Sequence, residues 1–185
     1  MLKRLLLLVT VANAAAALPA GAQIQPAALD LGAGVWNGRG GSVLDRRTGV
    51  VFDALISWRA LALRRSNVVI AVNAADAETL DHGDSCLFDL PNNRCAPDYP
   101  QFTSLGVLGG LEAIGAAGTV RALVGPGIFS VDGAGSAGGV QARIDVATPS
   151  VYHVALIAVL RGALVPSFRG DAYQVGSAGL GIRIH

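Results

Sequence analysis

Val140-Gln141-Ala142-Arg143-Ile144-Asp145-Val146 alternates apolar and polar residues without a break. A pleated strand sends successive side chains to opposite faces. Val140, Ala142, Ile144 and Val146 therefore share one face, and Gln141, Arg143 and Asp145 share the other. Such a strict period of two marks a strand with two different environments on its two sides.

The same period recurs on both sides of this stretch. Ala28 to Trp36 sets Leu29, Leu31, Ala33 and Val35 against Asp30, Gly32 and Gly34. Val50 to Ala60 sets Val50, Phe52, Ala54, Ile56 and Trp58 against Asp53, Ser57 and Arg59. Asn67 to Ala74 follows, with Val68, Ile70 and Val72 on the apolar face. Thr103 to Glu112 opposes Leu105, Val107 and Leu111 to Ser104, Gly106, Gly110 and Glu112. Thr119 to Phe129 opposes Val120, Ala122, Val124 and Ile128 to Arg121, Gly125 and Gly127. Val151 to Arg161 is apolar on both faces except for His153 and Arg161. The last stretch sets Ala178, Leu180, Ile182 and Ile184 against Ser177, Gly179, Gly181 and Arg183. That makes eight segments of about 9–11 residues, the length a tilted strand needs to cross a bilayer.

Alternation alone also fits a soluble periplasmic β-sandwich with one wet face. Composition and connections decide between them. The chain is 52% hydrophobic with a mean hydropathy of +0.50, yet no apolar run after the N-terminus is long enough for a spanning helix. A membrane chain without helices must satisfy its backbone as a closed barrel. The connections after segments one, three, five and seven read as long, and those after two, four and six as short, down to Thr148-Pro149-Ser150. Long outer loops and short periplasmic turns are the outer-membrane pattern, and they put both ends of the barrel domain on the periplasmic side. Glycines crowd the polar face, where a narrow lumen has little room for side chains. The expected fold is all-β: an eight-stranded antiparallel up-and-down transmembrane β-barrel.

The N-terminus carries an export signal. Lys3 and Arg4 precede an apolar run from Leu5 to Leu18, Pro19 ends it, and Ala20-Gly21-Ala22 supplies a small-x-small cleavage site. Residues 1–22 are expected to be a signal peptide and residues 23–185 the barrel domain. Without Lys3 and Arg4 the chain has no lysine, and its arginines almost balance its 13 acids. That balance excludes the concentrated basic face of a nucleic-acid binder. Cys86 and Cys95 lie in a loop-like stretch of an exported chain, which predicts a loop disulfide.

On these features the chain resembles the small outer-membrane barrel superfamily of OmpA-like domains and opacity-type surface proteins. The resemblance covers essentially the whole of residues 23–185. It rests on the signal peptide, the eight segments, Val124-Gly125-Pro126-Gly127-Ile128-Phe129 and the closing Gly179-Leu180-Gly181-Ile182-Arg183-Ile184. It implies a monomer without a wide pore, serving as a surface adhesin or envelope anchor. Its partners would be outer-membrane lipids and the barrel-assembly machinery. Two features depart from the family: the last residue is His185 rather than an aromatic, and Pro126 lies within a strand, where a bulge or strand end is expected.

The polar face carries the chemistry. In a barrel it lines the lumen, so Asp30, Arg59, Glu112, Arg121, Asp145, His153 and Arg183 come to similar depth near the periplasmic end. Asp53, Arg143 and Arg161 lie higher. Charges in so narrow a space must pair, because an isolated buried charge is too costly. The expectation is a salt-bridged plug; the alternative is a narrow conduit for small ions or apolar ligands.

No catalytic constellation emerges. His153 has no serine two residues away, and His82 and Ser85 lie in a loop without an orienting partner. The stretch Gly133–Gly139 is read as a flexible loop, since no helix or Lys-Ser/Thr pair follows it to cradle a phosphate. Residues 75–101 hold Asp76, Glu78, Asp81, Asp84, Asp89 and Asp98 against Arg94 alone, without the calcium-loop spacing. No metal site or cofactor is expected. The sequence therefore points to a non-enzymatic outer-membrane protein, structural or binding a surface partner through its loops.

Overall fold

A computed structural model describes residues 25–39, 47–79, 86–89, 94–97, 102–131, 135–168 and 171–185. The signal peptide expected at 1–22, and His82 in the acidic loop, lie outside the described residues. Alternating stretches form strands β1 (Gln25–Arg39), β2 (Arg47–Ala62), β3 (Ser66–Thr79), β6 (Phe102–Gly115), β7 (Gly118–Val131), β8 (Gly135–Ala147), β9 (Val154–Phe168) and β10 (Asp171–Ile184). Between β3 and β6, β4 (Cys86–Asp89) and β5 (Arg94–Pro97) pair as a separate two-stranded ribbon.

The eight long strands close into one antiparallel barrel in the order β1-β10-β9-β8-β7-β6-β3-β2. The first and last barrel strands meet along a continuous ladder from Leu29↔Ile184 to Arg39↔Gln174. Closure gives each of the eight long strands a hydrogen-bonded neighbour on both sides, which an open sandwich could not achieve. The soluble sandwich is thereby excluded as the architecture.

The strands sort their side chains as the period of two requires. Asp30, Leu55, Ala71, Leu108, Arg121, Arg143, Ile157 and Arg183 point inward and are buried. Ile70, Val107, Leu111, Val124, Ile144, Leu160 and Leu180 point outward and are exposed.

This polarity inverts near one end. There the inward positions become apolar: Trp36, Val51, Ala75, Ala77, Phe102, Phe129, Val165 and Tyr173 form a single buried cluster. Outward positions at the same level turn polar, with Asn37, Thr48, Asp76, Glu78 and Gln174. The barrel thus changes from a polar core in an apolar coat to an apolar core in a polar coat. That is what a wall leaving lipid for water requires, because whichever face meets water carries the polar groups.

The strands run 13–16 residues, longer than the sequence pattern indicated. Most of the extra length lies at the inverted end and takes up segments read as loops. Much of the Gly-rich stretch is strand, with β8 beginning at Gly135, and the connections at 132–134 and 169–170 are short. Glycine carries no side chain to display a period, so pattern reading could not see this part of β8.

One local expectation is corrected. Pro126 causes no bulge and ends no strand. The β6–β7 ladder stops at Gly106↔Gly127 and resumes at Gly109↔Val124 with the same offset. On the other side the β7–β8 register runs on through Pro126↔Val140. The missing N–H is absorbed as a local gap on one side of the strand. The register shifts lie elsewhere, between Arg59 and Leu61 in β2, between Gln25 and Ala28 in β1 and between Asp171 and Tyr173 in β10.

Candidate functional site

The lumen is filled by side chains from all eight barrel strands. At its lower end, Asp30 (β1) and Asp145 (β8) are fully buried and surrounded by Arg121 (β7), Arg143 (β8) and Arg183 (β10). Arg183 donates from Nε to Asp30 Oδ1 at 2.8 Å and from Nη2 to Asp30 Oδ2 at 3.0 Å, a two-pronged contact. It also bonds Asp145, and its Nη1 donates to Thr119 Oγ1 at 3.0 Å.

Arg121 reaches across the lumen. It bonds Asp30 on the opposite wall, donates to Asp145 Oδ2 at 3.0 and 3.1 Å, and donates from Nη1 to Ser57 Oγ at 2.7 Å. Arg143 links this cluster upward, donating to Asp145 Oδ2 at 3.1 Å and bonding Asp53 on β2. Beside the cluster, Arg59 Nε donates to Glu112 Oε1 at 2.8 Å, and Asn67 Nδ2 donates to the same oxygen at 3.1 Å. Nearly every carboxylate oxygen here faces a guanidinium or amide donor. Such pairing offsets the cost of burying these charges, which alone would be prohibitive.

The structure thus brings together Asp30, Asp53, Arg59, Glu112, Arg121, Arg143, Asp145 and Arg183. Arg161 also points into the lumen, but its Nη2 donates to neutral groups: Asn73 Oδ1 at 3.0 Å and Ser104 Oγ at 3.5 Å. His153 is not among them. It lies exposed in the turn between β8 and β9, closed by the Val151↔Val154 bridge. Tyr152 and His153 have φ of 50° and 67°, and two consecutive left-handed residues break the alternation that would have sent His153 inward.

Cys86 and Cys95 lie on β4 and β5, where the backbone register sets Cys86 opposite Pro97 and Cys95 opposite Phe88. Their side chains lie outside the described residues.

Sequence reasoning missed the layer above the charges. Trp36 stacks on Phe102 with centroids 6.4 Å apart, and Phe102 on Phe129 at 5.7 Å. Trp36 Nε1 donates to the Glu78 carbonyl at 3.0 Å. A Cβ on Gly38 or Gly49 would lie 2.6 or 2.5 Å from the Trp36 ring, so these two glycines make room for the indole. The signal was available: Trp36 lies on the same face as Asp30, and Phe129 on the same face as Arg121.

Middle positions are closed by Leu55, Val69, Ala71, Leu108 and Leu123. Between the aromatic layer and the charges remains a cavity of about 20 Å³. Packing of this kind gives the lumen the character of a protein core, filled by side chains as expected for eight strands.

No protein-family model and no curated protein sequence matches the chain. Among solved structures it is similar to Neisserial surface protein A, with a TM-score of 0.59 at 14% identity over 86% of this chain and 99% of that one. It also aligns with Ail, the attachment invasion locus protein of Yersinia pestis, with a TM-score of 0.45 at 13% identity over 86% of this chain and all of the other. Strand number, closure and the first of these likenesses give the chain the fold of the small eight-stranded outer-membrane β-barrels.

Proposed function

We propose that this chain is a non-enzymatic protein of the outer membrane of a Gram-negative-type bacterium. Residues 1–22 are removed on export, and 23–185 are inserted by the barrel-assembly machinery as a monomer. One observation carries the proposal: the outward face is apolar right round the barrel. From Leu29 to Val35, Val50 to Trp58, Val68 to Ala74, Leu105 to Leu111, Val120 to Ile128, Val140 to Val146, Val154 to Leu164 and Ala178 to Ile184, no outward residue is polar or charged. Leu180 is 73% exposed and Leu156 65%. Soluble monomers rarely expose an apolar patch beyond a few hundred Å². A belt on every strand is solvated only by hydrocarbon, and its partner is membrane lipid.

The inverted end, with its polar coat and the β4–β5 ribbon, then stands outside the cell, and the turns at 63–65 and 116–117 face the periplasm. The protein's work is structural, or it binds a surface partner through the outer loops. The name of its structural neighbour, a surface protein, accords with this. The acidic loop at 80–101 beyond β3, stapled by Cys86–Cys95, is the recognition element. The packed lumen favours this reading over a conduit for ions or apolar ligands, since a cavity of about 20 Å³ is a dead end beneath an aromatic lid.

Cell fractionation tests the location. The protein should sediment with the outer membrane and run with heat-modifiable mobility on gels. Release as a soluble protein by osmotic shock would refute the proposal.

A further inference from the structure

The described charges inside the barrel do not balance. Among the described residues, four carboxylates point into the lumen (Asp30, Asp53, Glu112 and Asp145) against five arginines (Arg59, Arg121, Arg143, Arg161 and Arg183). Four of the arginines lie within 4 Å of a carboxylate. The fifth, Arg161, does not. The acid that acts most on it is Asp53, which Arg143 already holds, and the Arg143 charge itself repels Arg161. A half-buried guanidinium whose only acceptors are neutral carries an uncompensated charge, the arrangement protein interiors avoid.

A buried amide at the same place lacks a partner. Gln141 is 3% exposed, and its Nε2 meets no acceptor. Its amide is held in position by the absence of side chains beneath it. A Cβ on Gly106 would lie 1.8 Å from Nε2, and one on Gly127 3.0 Å from it.

Arg161, Gln141, Ser104 and Ser177 line the cavity of about 20 Å³, with Trp36 and Phe129 closing it above. Its strongest polar groups, the Arg161 guanidinium and the Gln141 amide nitrogen, are donors, and the hydroxyls of Ser104 and Ser177 can turn to donate as well. One water needs about 10–15 Å³ by this kind of measure, so the space takes a single guest of that size or slightly larger.

We propose that this cavity is a binding site for one small monovalent anion of the halide class, held by Arg161, Gln141 and Ser104 and balancing the excess positive charge of the lumen. A halide ion is little larger than water, accepts from several donors at once, and is polarisable enough to sit beside aromatic rings. Sulfate, phosphate and gluconate exceed the space. The aromatic lid covers the site, so the ion enters as the barrel folds and leaves slowly afterwards.

The test uses the complete barrel domain refolded into detergent with sodium bromide, or with sodium gluconate at equal ionic strength. Crystals grown with bromide should give an anomalous peak within hydrogen-bonding distance of Arg161 and Gln141. A water alone at that position, or bromide on the outer surface only, would overturn the proposal. In solution, each tenfold rise in bromide above the dissociation constant should lower the unfolding equilibrium constant about tenfold, with no such change in gluconate. Arg161→Met should abolish the bromide dependence, and a variant that keeps it would overturn the assignment. Should that variant fail to fold, the diffraction result on the unmodified protein decides alone.

Discussion

Ile144→Arg and Arg143→Leu alter neighbouring residues of β8 that live in opposite surroundings. Ile144 is 49% exposed on the outer wall, flanked by Ala122 of β7 and Leu160 of β9. An arginine there has no acid in reach on either neighbouring strand, so the bilayer sets its cost, about 2–4 kcal/mol near the midplane and less towards an interface. Arg143 is 1% exposed and is the one ion-pair partner of Asp53 among the described residues. Asp145 and Asp30 keep Arg121 and Arg183 when it is removed, so the loss falls on Asp53. Breaking one side of a buried pair costs about 3–5 kcal/mol. The two penalties are of similar size, and their dependences separate them. Reversible unfolding in lipid vesicles of different acyl length should show the Ile144→Arg penalty growing with bilayer thickness while that of Arg143→Leu stays level. If Ile144→Arg is neutral while the Arg143→Leu penalty follows bilayer thickness, inside and outside have been assigned the wrong way round.

Cys86 and Cys95 should be joined in protein isolated from the envelope, seen as a mass difference on reduction. Cys86→Ala should then speed proteolysis of the 80–101 loop with little effect on barrel unfolding; two free thiols would refute this. Trp36→Ala, which empties the largest buried side chain of the outer layer, should cost about 3–5 kcal/mol in vesicle unfolding. Unmodified protein should give no steady conductance in planar bilayers, and an open-channel current would contradict the packed lumen. Burial, then the nearby Arg183 and Arg59 charges, hold the His185 imidazole below its ordinary value of 6.5. The unfolded chain therefore takes up this proton first, and stability should decline as pH falls below about 6.5. His185→Gln should flatten that decline in unfolding midpoints measured from roughly pH 8 to 5.

The alternation in 140–146 was enough to assign the two faces of the barrel, because lipid on one side and charge on the other leave a strict period in the sequence. The same physics explains the lumen residues that could be named in advance: a charge on a strand facing hydrocarbon must turn inward. What could not be read were the places where that contrast fails. Above the membrane the inner face is apolar and the outer face polar, so Trp36, Phe102 and Phe129 belong to an inverted pattern. Gly135 to Gly139 have too few side chains to show any pattern. His153 was misplaced because positive φ in a turn is a property of the backbone, invisible to a count of alternating residues. Nor could spacing show that Arg161 has no carboxylate within reach while Arg143 meets three, since partner choice depends on depth across the lumen.

The route by which the ion cluster is wired has a bearing on how the barrel is finished. Asp30 lies near the start of the domain, and Arg183, which grips it with two nitrogens, lies 153 residues later on the closing strand. Until β10 arrives, Asp30 and Asp145 share only Arg121 and Arg143, and the seam between first and last strands is open. A truncated barrel therefore carries both a raw edge and an under-neutralised interior, two faults cured by the same strand. Completion is consequently a single event with a sharp signature. The last barrel strand acts as the latch, and a barrel that lacks it remains visibly unfinished to anything that inspects strand edges or charge in the membrane.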